Sequence, residues 1–275
     1  MLQPHLLRKS RPVLAALVAL ALCAAGAAQA ADIRVVSSGG FAQAYKNLAA
    51  EYERTSGDHL LSEWGPSMGN TAKAIPARLA RGEQIDVVIM VGDALDKLME
   101  AGRLVPGTKV VLANSPIACA VRQGAAKPDI RTTDGLRKAF LQAHKVAYSD
   151  SASGEYIEGK LMKKLDIAEQ MQGKAAKIPA TPVGEIIAHG EADFGCQQRS
   201  ELMPVKGIDI VGLLPPDVQL MTEFSAALVR DARQPEAGRA LLRFLASPAN
   251  AAAIEATGLQ PAAAAAAPAP TPTQH

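Results

Sequence analysis

The chain has 275 residues, a formal net charge of +2 and 48% hydrophobic residues, which is enough for one or two domains with a substantial core. The near-neutral charge argues against a nucleic-acid-binding surface, and the 4% of aromatic residues argues against a surface that stacks sugars or bases. With only three cysteines and five histidines, a zinc-ribbon type of site is not supported, and we expect no metal ion and no cofactor.

The N-terminus has the three-part pattern of a secretory signal peptide. Residues 8–11 include three basic side chains, residues 13–25 are apolar, and small residues end the segment at Ala30. The apolar run is shorter than the ~20 residues that a membrane anchor needs. A lipoprotein acylated at Cys23 is disfavoured because Leu22 stands where a small residue is required. We therefore expect residues 1–30 to be cleaved from a periplasmic protein that is not embedded in a membrane.

Strands alternate with helices along the mature chain. Strands are predicted at residues 33–36, 59–64, 86–90, 115–121, 145–148, 193–197 and within 218–229. Helices are predicted at residues 41–55, 71–81, 95–101, after the turn 149–154, and at 181–189, 235–245 and 248–256. This alternation predicts an α/β fold whose mostly parallel sheet is covered on both faces.

Two crossovers, near Asn114 and Gln219, divide this α/β pattern into halves. We expect a first lobe formed by residues 31–114 and 220–260 and a second lobe formed by residues 115–219. The segment 261–275 consists of Ala, Pro, Thr and Gln before a final His, and this composition predicts a disordered tail.

Small and hydroxyl-bearing residues precede several predicted helices, at residues 37–40, 65–70, 149–154 and 181–183. A helix N-terminus presents unpaired N–H groups and a partial positive charge, so such turns suit an anion. The alternative is that each turn is an ordinary helix cap. Because ligands bind at the carboxyl ends of strands in such folds, we expect a small anionic ligand at these turns.

Two cysteines of the mature chain, Cys119 and Cys196, lie in apolar strand-like stretches. An exported protein can form a disulfide, but the sequence leaves a disulfide and two buried free thiols as alternatives.

Five segments together resemble the periplasmic molybdate-binding protein family, from about residue 32 to residue 260. They are residues 33–40 before an amphipathic helix, 65–69 (GPSMG) before 72–75 (AKAI), 85–89 (IDVVI), 151–156 (SASGEY) and 190–195 (GEADFG). The resemblance implies a type II periplasmic binding protein, with two Rossmann-like lobes joined by a two-strand hinge around a closing cleft. It also implies delivery of a ligand to an ABC permease. A cleft that closes on a hinge works without a partner, so we expect a monomer.

That family holds a tetrahedral oxyanion with two first-lobe serines, second-lobe backbone N–H groups and a tyrosine. Here the first serine position is Gly40, with Ser38 two residues away, and the second is Ser67. The backbone contributors fall on Ser153 and near Val183, and the tyrosine position is Gln198. Met68, Gly154, Tyr156 and Arg199 complete the candidate ligand-binding set.

Two hydroxyl donors of the family site are therefore replaced, at Gly40 and Gln198. A buried polar site discriminates by matching each ligand oxygen to a donor, so molybdate is disfavoured. Gln197, Gln198 and Arg199 offer amide and guanidinium donors, and a guanidinium suits a planar carboxylate. Arg199 can equally be a solvated surface charge.

Three functions remain open at this point. The first is a solute-binding protein that captures a small organic carboxylate. The second is a cofactor-free isomerase, because a periplasmic aconitate isomerase is also similar to this group, and its proton transfer needs a general base. The candidate acid-base residues are Glu63, Glu155, Tyr156 and Glu185. The third is capture of molybdate or tungstate for an importer.

Overall fold

The computed structural model of the protein describes residues 30–69 and 71–262. The predicted signal peptide lies outside the described residues except for Ala30, and so does the predicted tail beyond residue 262.

Seven elements form the first part of the described chain. They are β1 (Asp32–Ser37), α1 (Gly39–Ser56), β2 (His59–Trp64), α2 (Ile75–Ala80), β3 (Val87–Val91), α3 (Gly92–Glu100) and β4 (Val110–Arg122). The helix predicted from residue 71 begins only at Ile75, because Pro76 occupies the first turn, where its fixed φ favours a helix start.

The second part begins with α4 (Thr133–Gln142), β5 (Val146–Ser149) and α5 (Ala152–Tyr156). A π-helical turn (Ile157–Leu161) leads into α6 (Met162–Lys164). The remaining elements are β6 (Ala175–Ile178), α7 (Val183–Ala188), β7 (Phe194–Gln198), α8 (Arg199–Leu202), β8 (Ile208–Leu213), a 3₁₀ turn (Pro216–Val218), β9 (Met221–Leu228), α9 (Pro235–Leu245), a 3₁₀ turn (Pro248–Asn250), α10 (Ala251–Glu255) and β10 (Gln260–Pro261).

The strands are ordered β2-β1-β3-β9-β4-β7-β5-β6, and β8 and β10 also pair with β4. β1 runs parallel to β2 and β3, and β5 runs parallel to β6 and β7. The strands β4 and β9 run antiparallel to their neighbours, so the sheet is mixed. The 13-residue β4 pairs with β9 in its first half and with β7 and β8 in its second half.

Buried apolar side chains form separate cores on the two parts of the sheet. The first core packs β1, β3, β9 and the helices α1 and α9, with members from Ile33 to Ala113 and from Phe224 to Leu259. The second group of cores lies between Ile117 and Val218, on the two faces of β5 and β7. Parallel strands within each part bring their carboxyl ends to the same edge, and that edge is where the site lies.

Candidate functional site

A cavity of about 250 Å³, here called the inner cavity, opens at the carboxyl ends of the parallel strands. Its lining lies at the ends of six strands: residues 38–39 after β1, 64–66 from the end of β2, Val91 at the end of β3, 149–152 from the end of β5, 180–182 after β6, and 197–198 at the end of β7. Lys73, Glu201 and Phe224 complete the lining. The turns expected to form an anion site therefore meet at one place.

Ser38 provides an unused hydrogen-bonding group in the inner cavity. It is the N-cap of the 18-residue α1, is only 3% exposed, and makes no side-chain capping bond. Its backbone N–H donates to the carbonyl of Ile89 at 2.8 Å, which fixes the residue, while its Oγ has no partner. A buried hydroxyl beside the open N–H groups of a long helix offers hydrogen-bond donors of the kind that an anion requires.

Gly40 has no room for the serine of the family pattern. A Cβ on Gly40 would stand 2.0 Å from Cζ of Phe224, far inside van der Waals contact. The carbonyl of Gly40 accepts a bond from Ser200 Oγ at 2.7 Å, which ties α1 to α8. The Phe224 ring occupies the space of the missing hydroxyl, so an oxyanion at that place would meet an aromatic ring.

Ser67, Met68 and Tyr156 lie in a neighbouring cavity of about 710 Å³, here called the outer cavity. The two cavities share Val91 and Ala152 in their linings. Ser67 Oγ accepts the Val91 N–H at 3.0 Å, and the Tyr156 hydroxyl donates to the Val218 carbonyl at 2.7 Å. Both groups already have a structural partner.

Ser153 and Gly154 build the turn after β5 rather than the cavity wall. Ser153 Oγ lies 3.1 Å from Ser149 Oγ, and a Cβ on Gly154 would stand 1.6 Å from the Ser149 carbonyl oxygen. Only a glycine allows this close approach, and the packed turn presents residues 149–152 to the inner cavity.

Gln198 lines the inner cavity and Val183 and Arg199 do not. Gln198 Nε2 donates to Thr222 Oγ1 at 2.8 Å, and its buried Oε1 has no partner. The Val183 N–H is taken by Gln197 Oε1 at 2.9 Å. The Arg199 methylenes lie 3.3 and 3.5 Å from the position of a Cβ on Gly258 and line neither the inner nor the outer cavity. The structure thus places Arg199 outside the linings of both cavities.

Glu201 and Asp150 are two carboxyl groups of the inner cavity that the sequence analysis missed. Burial, and to a smaller extent the nearby negative charge of Asp150, raise the pKa of Glu201 to about 7. Glu201 as a residue is half-buried, yet its carboxyl group is withdrawn from water. The available signal was its position, three residues beyond the carboxyl end of the buried strand β7.

The proposed acid-base candidates occupy other places. Glu63 forms an ion pair with Arg78, and Glu155 lines the outer cavity with Tyr156. Glu185 is exposed on α7, outside the inner cavity. Lys73 is a basic residue that lines the inner cavity, whereas Arg199 does not.

The sequence matches the family described as bacterial extracellular solute-binding protein over residues 33–260, most of the chain. The chain belongs to this family. The predicted family resemblance and the α/β fold class are therefore confirmed. Within this solute-binding protein, the inner cavity lies where α/β sheets place their ligands.

A relative from Pseudomonas sp., named aconitate isomerase, is 49% identical to this solute-binding protein over 229 residues, covering 83% of this chain and 87% of the relative. The molybdate-binding protein ModA of Azotobacter vinelandii is 23% identical over 257 residues, covering 90% and 96%. The solved periplasmic molybdate-binding protein of A. vinelandii superposes with a TM-score of 0.67 at 17% identity, covering 82% of this chain and 98% of that one. At that identity the superposition shows a shared fold alone.

Cys119 and Cys196 of this solute-binding protein form a disulfide, which decides between the two alternatives left by the sequence. They face each other across the antiparallel pair β4–β7 and are fully buried. The bond joins the crossing strand β4 to the strand whose end carries Gln197 and Gln198.

Within residues 30–69 and 71–262, no group of three or more His, Cys, Asp or Glu side chains is arranged to hold a metal ion. None of the helices in the described part of the chain is both long and apolar enough to cross a membrane.

Proposed function

We propose that this protein binds a small organic polycarboxylate in the inner cavity and interconverts the cis and trans isomers of aconitate. The observation that carries the proposal is the 49% identity, over 83% of the chain, to the protein named aconitate isomerase. Function depends on the site rather than on the fold, so the inner cavity must also suit a carboxylate.

The donors of the inner cavity suit carboxylate groups. Ser38 offers an unpartnered hydroxyl, the N-terminus of α1 offers backbone N–H groups, and Lys73 offers a positive charge. A volume of about 250 Å³ lies just below the range of about 300–1,000 Å³ usual for drug-sized ligands, as a smaller acid requires. The unpartnered Oε1 of Gln198 is an acceptor that suits a protonated or hydroxyl group of the ligand.

The same cavity argues against molybdate or tungstate as the ligand. Phe224 fills the place of one family hydroxyl, and Gln198 replaces the tyrosine hydroxyl. A tetrahedral oxyanion would leave oxygens without donors there, which costs about 1–3 kcal/mol for each unsatisfied buried group.

We also propose the wider setting of the protein. The lobes are residues 31–114 with 220–260 and residues 115–219, a division supported by the separate apolar cores. The basic, apolar and small-residue pattern of residues 1–30 supports export to the periplasm. The protein acts as a monomer, and an ABC permease remains its expected partner if it delivers the ligand that it binds.

The test measures ligand binding and reaction on the same preparation. Thermal shifts are recorded with cis-aconitate, trans-aconitate, citrate, molybdate, tungstate and sulfate, and the interconversion of the aconitates is followed by proton NMR. The proposal expects stabilisation by the aconitates and formation of the other isomer. Stabilisation by aconitate without interconversion would indicate a carboxylate-binding protein, and stabilisation by molybdate and tungstate alone would overturn the carboxylate assignment.

A further inference from the structure

Glu201 on α8 lines the inner cavity beside the N-terminus of α1. Its carboxyl carbon lies 3.2 Å from the position that a Cβ on Gly39 would take, so the carboxyl group is packed against the first residue of α1. It also lines the inner cavity together with Ser38 and Asp150. The absence of a side chain on Gly39 therefore lets a carboxyl group of α8 reach the helix N-terminus.

A fixed amide holds this carboxyl group. Gln197 Oε1 accepts the Val183 backbone N–H at 2.9 Å, which defines the orientation of the Gln197 amide. Gln197 Nε2 then donates to Glu201 Oε2. Among the described residues no other hydrogen bond and no ion pair engages the Glu201 carboxyl group, so Oε1 remains available to a ligand.

The Glu201 carboxyl group changes its protonation state near neutral pH. Burial and the charge of Asp150 raise its pKa to about 7, so both forms are populated there. A group with this pKa can accept a proton and return it at comparable rates, which is what a general acid-base catalyst needs.

The interconversion of the aconitate isomers requires one such acid-base group. A base removes a proton from the methylene carbon, the C–H electron pair becomes a new C=C bond to the central carbon, and the old C=C pair accepts a proton at its outer carbon. One proton leaves and one returns, so no oxidant, reductant or cofactor is consumed. The skeleton carries a carboxylate on each of its three carbons, so the product is again aconitate, with a geometry set by the bound conformation.

We propose that the Glu201 carboxyl group is the catalytic residue that carries this proton between the two outer carbons of aconitate; the assignment rests on the proposed function. Ser38 Oγ and the N–H groups at the start of α1 hold the carboxylate that takes up negative charge while the proton is on Glu201. Gln197 is a positioning residue, because it acts only through Glu201.

The decisive variant is Glu201→Gln, which keeps the size of the side chain and loses the ability to carry a proton. We expect kcat for aconitate interconversion to fall at least 100-fold. Binding of propane-1,2,3-tricarboxylate, a saturated analogue that cannot isomerise, should stay within threefold or tighten, since one negative charge is removed from the cavity. The matched control is Glu191→Gln, which is exposed and lines none of the cavities described, and which should retain wild-type kcat.

A pH profile gives a readout that a structural role would not move. Because the base form of Glu201 starts the reaction, wild-type kcat/KM should rise with pH through about 7 and then level off. The titratable and charged groups that line the inner cavity with Glu201 are Lys73 and Asp150. Glu201 also lines a third cavity, of about 430 Å³, whose titratable and charged groups are Lys46, Glu185, His189 and Lys206. The residual activity of Glu201→Gln should lack this rise, whereas Asp150→Asn should keep it and shift it to lower pH.

The outcomes separate the two proposals. If the wild-type protein interconverts aconitate and Glu201→Gln keeps its activity within threefold, the assignment of Glu201 is overturned and the proposed function stands. The same conclusion follows if Asp150→Asn loses the reaction while Glu201→Gln remains active. A wild-type protein without interconversion overturns the proposed function and this assignment together. If Glu201→Gln does not fold, Glu201→Asp replaces it, with kcat expected to fall more than tenfold at unchanged analogue affinity; wild-type kcat in that variant overturns the assignment.

Discussion

Ser38 is the residue whose surroundings distinguish a ligand contact from a helix cap. The hydroxyl of an ordinary N-cap accepts from the backbone of the first helical turn, and the Ser38 hydroxyl does not. Ser62, by comparison, has its Oγ 2.7 Å from the Tyr45 hydroxyl. The two serines therefore predict opposite effects of removing a hydroxyl.

Ser38→Ala should leave the unliganded melting temperature unchanged or raise it, because the lost Oγ has no protein partner. The same change should weaken aconitate binding at least tenfold, since a hydrogen bond to a charged group contributes about 1.5–3 kcal/mol. Thermal unfolding and calorimetric titration measure the two effects. Ser62→Ala, the control, should lower the melting temperature and leave the affinity unchanged; the reverse pattern would place the ligand elsewhere.

Single residues also show why the site was only partly predictable. Ser38 follows strand β1 and Gln198 is the last residue of strand β7, and both line the inner cavity. Glu201 follows the same strand as Gln198, but nothing in its neighbours along the chain reveals that Gly39, 162 positions earlier, leaves space for its carboxyl group. The role of Arg199 depends on where one short helix points, which sequence periodicity does not determine.

At the scale of elements, the regular patterns were predictable and the irregular ones were not. Strand β2 (His59–Trp64) and helix α9 (Pro235–Leu245) have the predicted bounds, because alternation and an amphipathic period are local. Strand β6 (Ala175–Ile178) is short and β8 (Ile208–Leu213) is half-buried, and neither was predicted. Their pairing with β5 and β4 is a tertiary effect that overrides weak local preference.

The disulfide between β4 and β7 is expected to stabilise the folded protein. It closes a chain segment of 77 residues, and loop-closure entropy for that length corresponds to about 4.5 kcal/mol. The double variant Cys119→Ala, Cys196→Ala should therefore lose about 2–5 kcal/mol of unfolding free energy in urea. Wild type with a reductant should approach the variant, and an unaltered midpoint in both samples would show that the bond does not constrain the unfolded chain.

At the scale of the whole molecule, Glu201 couples folding to pH. Its pKa is about 7 in the folded protein and 4.5 as the reference value. Between these values the folded state keeps a proton that the unfolded state has lost, so this group makes stability fall as pH rises from 4.5 to 7. Above pH 7 the Glu201 carboxylate is charged in both the folded and the unfolded state, and the loss of stability reached at pH 7 remains.

Glu201→Gln should remove this dependence. The variant should gain stability over wild type as pH rises through that window, up to roughly 3 kcal/mol, and the two proteins should converge near pH 4. Urea unfolding at pH 4, 6 and 8 measures the difference. Comparison of the two proteins cancels the contributions of the other carboxyl groups, and a difference independent of pH would contradict the raised pKa.

The whole-molecule fold was the most predictable feature, because strand–turn–helix repetition over more than 200 residues leaves few α/β arrangements. The ligand was the least predictable, since it depends on Phe224 and Glu201 meeting α1 across the cleft. These contacts join residues that are far apart in the chain.

The most direct measurement is a proton NMR time course of cis-aconitate with the purified wild-type protein at pH 7.5, beside a sample without protein. We predict that the vinyl signal of trans-aconitate grows, at a rate proportional to protein concentration, to an equilibrium ratio that is also reached from the trans side. A trans-aconitate signal that grows no faster than in the protein-free sample would contradict this prediction.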